Sequence, residues 1–180
     1  MPKTKKSWGR LDLSHSSLGG IKLKDAALPY TELTGLNFSD SDLSYVDYNG
    51  AFIGKADFHN ANLKFAILSA YCAESNFSGA DLSNARLRHN FNGTNFHSAK
   101  LLDAWINVAF MDADLTNADF SNADFNHSDL RNANISGANF THVKNITQYD
   151  IDGACADRSN PPTLDKGLVP PKRTCENWKR

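Results

Sequence analysis

The feature that most constrains this sequence is a five-residue period in its apolar residues. From Leu13 to Phe140 a large apolar residue recurs at almost every fifth position, usually with a small residue two places before it. A period of five matches neither the 3.6 residues of a helical turn nor the two-residue alternation of a flat strand. The period therefore indicates an internal repeat whose short units bury their apolar faces against one another.

The clearest units read Ala, then Asp or Asn, then Leu or Phe, then two further residues that are mostly polar. They begin at Ala56, Ala61, Ala80, Ala113, Ala118 and Ala123. These residues resemble the pentapeptide-repeat family, which is built on this pattern. The resemblance implies an all-β fold, a right-handed quadrilateral parallel β-helix. Four repeats would close a coil of about twenty residues, and successive coils would lie about 4.8 Å apart.

The period shortens to four residues at three places, between residues 68 and 72, 87 and 91, and 106 and 110. The shortened steps recur every nineteen residues, so they would lie on the same side of three consecutive coils. A single deletion would break the stacking of coils, whereas three aligned deletions preserve it. Their alignment therefore supports this register of the repeat.

In this register the central residues form four columns, which define sides A to D of the predicted β-helix. Side A would hold Leu28, Tyr48, Leu68, Leu87, Ile106 and Phe125; side B Leu13, Leu33, Ile53, Cys72, Phe91, Phe110 and Leu130; side C Leu18, Phe38, Phe58, Phe77, Phe96, Leu115 and Ile135; and side D Leu23, Leu43, Leu63, Leu82, Leu101, Phe120 and Phe140. All four columns are apolar throughout, so we expect these side chains to fill the interior. His89 interrupts the small residues at a shortened corner, where we expect a local hydrogen bond.

Three segments follow from the extent of the period. Residues 11–141 would form the β-helix, with about seven coils. Residues 1–10, with Trp8 and four basic residues, and residues 142–180, with four prolines, would cap its ends, because open ends expose unpaired backbone groups. Cys155 and Cys175 lie in the C-terminal cap. They could form a disulfide if the protein is exported, and two free thiols are the alternative that the sequence leaves open.

Neither a membrane span nor a signal peptide is visible in the sequence. The pattern therefore favours a cytoplasmic protein, or an exported or lumenal one if a leader has been removed. The acidic residues mostly fall just before each centre and are products of the repeat, so we expect no enzyme activity. His59 and His97 would share a column but sit two coils apart, about 9.6 Å, too far to share a zinc ion. We expect no metal and no cofactor.

The charges of the repeat suggest an alternative function. Residues 11–150 contain 16 acids and 9 bases, a net charge of −7, whereas residues 1–10 carry +4 and residues 151–180 carry +2. Some pentapeptide-repeat proteins are thought to mimic duplex DNA and occupy the DNA-binding groove of type II topoisomerases. An acidic stripe of Asp114, Asp119, Asp124 and Asp129 could imitate phosphate rows. Such a mimic should inhibit gyrase supercoiling, lose that effect as salt rises, and fail when Asp114, Asp119 and Asp124 become Asn. Interspersed lysines and arginines favour the simpler interpretation, a solubilising surface.

Outward positions on two adjoining sides hold unusual apolar residues. The predicted partner-binding residues are Phe52, Phe65, Ile67, Tyr71, Arg86, Leu102 and Trp105. Ile67, Arg86 and Trp105 would occupy the same outward column in successive coils, with the Arg86 guanidinium over the Trp105 indole. A contiguous exposed apolar surface usually marks a contact site, unless the C-terminal tail folds back over it. We therefore predict a non-catalytic scaffold that binds a protein partner or a second copy, without direct contact with nucleic acid or membrane.

Overall fold

A computed structural model describes residues 16–176 and residue 178 of the chain. In this range the chain winds as a parallel β-solenoid, which confirms the predicted all-β class. Short parallel bridges recur along the repeat, and each joins residues 19 to 21 positions apart. Four such bridges fall within one coil, so the coil has four sides. No helix within residues 16–176 is long and apolar enough to cross a bilayer.

Some predictions extend beyond these observations. The N-terminal segment 1–10 and the central residue Leu13 lie outside the described residues. The total of about seven coils includes residues before position 16, and it stays a prediction, as do the right-handed sense of the coil and the segment boundary at residue 141.

The three shortened steps form the longest strands of the solenoid. A parallel four-stranded sheet contains β1 (Ile67–Tyr71), β2 (Arg86–Asn90), β3 (Trp105–Ala109) and β4 (Asp124–Phe125), in that order. Leu68 pairs with Leu87, and Leu87 pairs with Ile106. The shortened steps are thus stacked on three consecutive coils, as their spacing predicts. Here the chain continues as a strand through the corner instead of making a two-residue turn, and His89 in β2 has a φ of 81°.

Ordinary repeats turn a corner in the two residues after each centre. The backbone N–H three residues after the centre closes the turn, as when Ala80 donates to the Phe77 carbonyl over 3.0 Å. The second turn residue has a positive φ, and Gly, Asn and Asp occupy most of these positions because they adopt it most readily. Tyr45 and Phe65 are exceptions, with φ of 61° and 59°. Bulky residues in this conformation store local strain.

The core runs through the middle of the coils. Every predicted centre from Leu28 to Phe140 is buried, together with the small residues that precede most of them, while Leu18 and Leu23 are partly buried near the first described coil. Side C holds a stack of four rings, with centroid distances of 5.3, 4.8 and 4.9 Å from Phe38 through Phe58 and Phe77 to Phe96. Cys72 is buried on side B, and burial raises the pKa of its thiol well above the ordinary value, so it behaves as a small apolar residue.

The C-terminal tail continues the winding and covers the last coil. Lys144, Cys155 and Thr163 pair with residues one coil earlier. The tail contains α1 (Gln148–Gly153), which begins with a Thr147–Asp150 capping box, and β6 (Thr163–Leu164), which pairs with β5 (Asn139–Phe140). Cys155 and Cys175 form a disulfide. The backbone edge of the last coil is therefore paired rather than open, which removes a site for end-to-end association.

The hydroxyl of Tyr48 gives a first testable prediction. It is fully buried and has no hydrogen-bond partner among the described residues, and such a group costs about 1–3 kcal/mol. Replacing Tyr48 with Phe should raise the free energy of unfolding by about 1 kcal/mol, because the ring keeps its contacts with Phe38 and Phe58. Denaturant titration measures the change. Tyr71→Phe, at an exposed position, is the control and should change little. A less stable Tyr48→Phe protein would contradict the prediction.

Candidate protein-binding surface

Side A carries a continuous outward column of mixed residues. Parallel pairing joins Ala27, Asp47, Ile67, Arg86, Trp105, Asp124 and Lys144 in this order, one residue per coil. The predicted alignment of Ile67, Arg86 and Trp105 is therefore confirmed. The column exists because the residue before each buried centre must point outward in an extended segment.

Exposed aromatic rings stack at both edges of side A. At the edge next to side D, the Tyr45 and Phe65 rings lie 4.8 Å apart and 8° from parallel. At the edge next to side B, Phe52 stacks on Tyr71 at 5.2 Å, and Tyr71 stacks on His89 at 5.6 Å. Rings on neighbouring coils stack readily because the coil spacing is about 4.8 Å. Tyr45, Phe52, Phe65 and Tyr71 remain 44–48% exposed.

Two details of this surface differ from the sequence predictions. The cation over the Trp105 ring is Arg88, whose guanidinium carbon lies 5.5 Å from the ring centroid. Arg86 is the backbone partner of Trp105, but residues two apart in a strand share a face, so the indole can reach the next arginine. The predicted hydrogen bond of His89 is not found among the described residues, where its ring stacks on Tyr71.

The remaining residues around side A are less exposed or lie at its margin. Ile67 and Trp105 are half-buried, and Leu102 is half-buried in a turn on side D. The ammonium group of Lys24 lies 5.6 Å from the centre of the Tyr45 ring. Aromatic and cationic groups thus lie side by side on this surface, and protein interfaces are enriched in aromatic residues and arginine.

The C-terminal tail does not cover these rings. Among the described residues, its hydrogen bonds to the repeat reach residues between 117 and 140, as when the Trp178 indole donates to the Asn132 carbonyl over 2.8 Å. The stacked aromatic residues lie on coils between residues 45 and 89. Within the described part of the chain, the alternative that the tail folds back over the aromatic surface is therefore wrong.

The four acidic residues predicted as a stripe lie on four different sides. A spacing of five residues carries the chain around one corner, not along the axis of the solenoid. Their neighbours in each column are Asn95 and Asn134 beside Asp114, Lys100 and Asn139 beside Asp119, Trp105 and Lys144 beside Asp124, and Ala109 beside Asp129. The predicted stripe is therefore wrong as a geometrical feature, since these acids encircle the solenoid among neutral and basic residues.

Their carboxylates also take part in local hydrogen bonds. Asp119 accepts from the backbone N–H and the hydroxyl of Ser121, at 3.0 and 2.5 Å, and Asp114 has the same pair of bonds with Thr116. The side-chain hydrogen bonds from Arg131 hold the pKa of Asp129 below its ordinary value. These acids stabilise the turns that follow them. No group of three or more His, Cys, Asp or Glu residues in the described range could hold a metal ion.

A comparison with known protein families agrees with this geometry. The family described as Pentapeptide repeats matches in eight copies, over residues 10–44, 37–70, 56–107 and 110–144. A comparison with curated proteins finds no match.

Several solved structures share the architecture. A trypsin-treated form of QnrB1, a plasmid-mediated fluoroquinolone resistance protein, is 15% identical with a TM-score of 0.55, covering 82% of this chain and 83% of QnrB1. HetL, involved in heterocyst differentiation regulation in the cyanobacterium Nostoc, is 23% identical with a TM-score of 0.48, covering 86% of this chain and 76% of HetL. A thylakoid-lumen protein of Arabidopsis thaliana is 22% identical with a TM-score of 0.38, covering 76% and 80%. At 15% identity the similarity to QnrB1 shows the fold alone.

Proposed function

Because this chain belongs to the pentapeptide-repeat family, we propose that it is a non-catalytic scaffold whose side A binds a protein partner or a second copy of the chain. The observation that carries the proposal is the pair of exposed aromatic stacks, Tyr45 on Phe65 and Phe52 on Tyr71. On a soluble protein, a cluster of large exposed aromatic rings marks a contact site more often than it arises by chance.

The construction of this surface suits binding. Stacked rings on neighbouring coils are held in place before a partner arrives, so little side-chain entropy is lost on association. Aromatic residues and arginine are the commonest anchors of protein interfaces, and Arg88 lies against Trp105 in the same surface.

A DNA mimic directed at a type II topoisomerase is the alternative, and it has less support. Phosphate rows would require acids along one side, whereas the predicted acids lie on four sides and have only neutral or basic residues next to them in their columns. The carboxylates are also engaged with Ser, Thr and Arg side chains. The likeness to QnrB1 at 15% identity concerns the fold alone.

Removing apolar area from side A tests the proposed scaffold. In an Ile67→Ser, Trp105→Ser double variant, we expect loss of self-association or of a partner retained by the wild-type protein, because the central contacts of an interface contribute most of its affinity. The measurement combines light scattering with quantitative comparison of the proteins retained from a cell extract. His59→Ser, His97→Ser is the matched control, since both residues are exposed on the opposite side C.

The control should behave like the wild-type protein in both measurements. The proposal would be contradicted if wild-type and double-variant proteins were monomers of the same mass and retained the same proteins. Circular dichroism confirms that each variant is folded, so that loss of binding cannot be attributed to loss of the solenoid.

A further inference from the structure

Along the column on side A, an acidic and a basic residue lie on opposite sides of Ile67. Asp47 lies one coil before Ile67, and Arg86 lies one coil after it. The two charges are therefore equally far from Ile67 along the solenoid axis, about 4.8 Å on each side. Neither side chain takes part in a salt bridge among the described residues.

When two copies of side A face each other in opposite directions, this order places opposite charges against each other. A two-fold axis perpendicular to the solenoid axis, passing through Ile67, would place Asp47 of one copy opposite Arg86 of the other, and would do so twice. A parallel arrangement would instead bring Asp47 against Asp47 and Arg86 against Arg86, where like charges repel. Only the antiparallel arrangement places each charge opposite a charge of the other sign. Because a two-fold interface uses the same surface of both copies, this pairing occurs twice.

We propose that a second copy of this chain docks antiparallel on side A, with the two-fold axis at Ile67 and reciprocal Asp47–Arg86 pairs. This inference rests on the proposed function and names the occupant of the same surface. The bond that Asp47 accepts from the Asn49 backbone, 3.0 Å long, uses one carboxylate oxygen, and a carboxylate has a second oxygen able to accept from arginine.

The position of the exposed rings favours this axis over others. Phe65, Ile67 and Tyr71 lie on one coil and span side A from one edge to the other. An axis at Ile67 brings each of them to the centre of the interface, opposite its own copy, where apolar contacts are best shielded from water. An axis at Trp105 would pair Arg86 with Asp124 instead and would leave Phe65 and Tyr71 near the margin.

Charge reversal and mixing test the arrangement without requiring a known partner. Light scattering should give twice the chain mass of 19.8 kDa for the wild-type protein, and 19.8 kDa for Asp47→Lys and for Arg86→Glu separately. An equimolar mixture of the two variants should recover the doubled mass, because each copy supplies the charge that the other needs. Recovery also shows that both variants are folded.

Three variants complete the test. The double variant Asp47→Lys, Arg86→Glu should form a dimer by itself, since both pairs are restored with reversed sign. Asp47→Asn, which removes the charge and keeps an acceptor for the turn, should weaken the dimer less than Asp47→Lys. Arg86→Asp, Asp124→Arg should remain a monomer, because it restores only the pairing expected for an axis at Trp105.

Several outcomes would overturn the inference. A wild-type monomer, a mixture that stays monomeric, or a dimer restored by the Arg86 and Asp124 exchange would each exclude the axis at Ile67. These failures differ from failure of the proposed function. If Ile67→Ser, Trp105→Ser abolishes association while the charge exchanges do not restore it, side A remains a binding surface and only the antiparallel pairing is wrong.

Discussion

Replacing Phe77 with alanine is expected to lower the free energy of unfolding by about 3–5 kcal/mol. Phe77 is fully buried, and its ring lies 4.8 Å from Phe58 and 4.9 Å from Phe96. The substitution removes the middle of the four-ring stack on side C. It would leave a cavity that cannot close easily, because the coils on both sides are held by backbone pairing through Asn76. Urea denaturation followed by circular dichroism measures the loss.

Two matched substitutions separate burial from the mere presence of an aromatic ring. Phe77→Leu keeps an apolar centre of the kind found in half of the other repeats, and it should cost clearly less than Phe77→Ala. Phe52→Ala removes an exposed ring from side A and should change stability by less than about 1 kcal/mol. Equal losses for Phe77→Ala and Phe52→Ala would show that the stack on side C does not stabilise the solenoid as described.

Opening the disulfide between Cys155 and Cys175 is expected to cost about 2–4 kcal/mol. The bridge closes a loop with a sequence separation of 20. Arg173 inside this loop and Trp178 just after it both donate hydrogen bonds to Asn132. Without the bridge the tail can leave the last coil at a lower free energy. Hydrogen exchange should then become faster at Ala156, whose N–H donates to the Arg173 carbonyl over 3.1 Å.

The redox dependence of this effect provides its control. Reductant should lower the stability of the wild-type protein and should leave a Cys175→Ser variant unchanged, since that variant has no bridge to break. Exchange at Leu82, which lies in the interior and donates to the Lys100 carbonyl over 2.7 Å, should be less affected because local opening is confined to the tail. Equal exchange rates at Ala156 with and without reductant would contradict this role of the disulfide.

Much of the candidate surface could be located from the sequence. Pointing inward or outward is a local property of an extended repeat, so the positions of Ile67, Arg86 and Trp105 in one column followed from counting residues. The same count placed Tyr71 and Phe52 on neighbouring coils. Counting residues could not tell which arginine covers Trp105. Arg86 and Arg88 both point outward, and the choice depends on the orientation of the indole ring between the coils.

The acidic residues show a second limit of counting. Their regular five-residue spacing suggested a stripe, although the coil geometry places Asp114, Asp119, Asp124 and Asp129 on four sides. Their bonds to neighbouring Ser, Thr and Arg side chains explain why acids are frequent before a turn. The frequency of a residue type in a repeat is therefore weak evidence for a function of its charge.

The period of five and its three aligned shortenings were sufficient to predict the four apolar columns and the stacking of β1, β2 and β3, and the family resemblance of the repeat implied the parallel β-solenoid. Each of these features depends on which side chains point inward, and inward and outward positions alternate along an extended segment. The stacking of Tyr45 on Phe65, the route of the tail and the Cys155–Cys175 bridge became evident only in the folded chain. They depend on contacts between residues about twenty positions apart or more, and no local sequence pattern specifies how two side chains on neighbouring coils pack against each other.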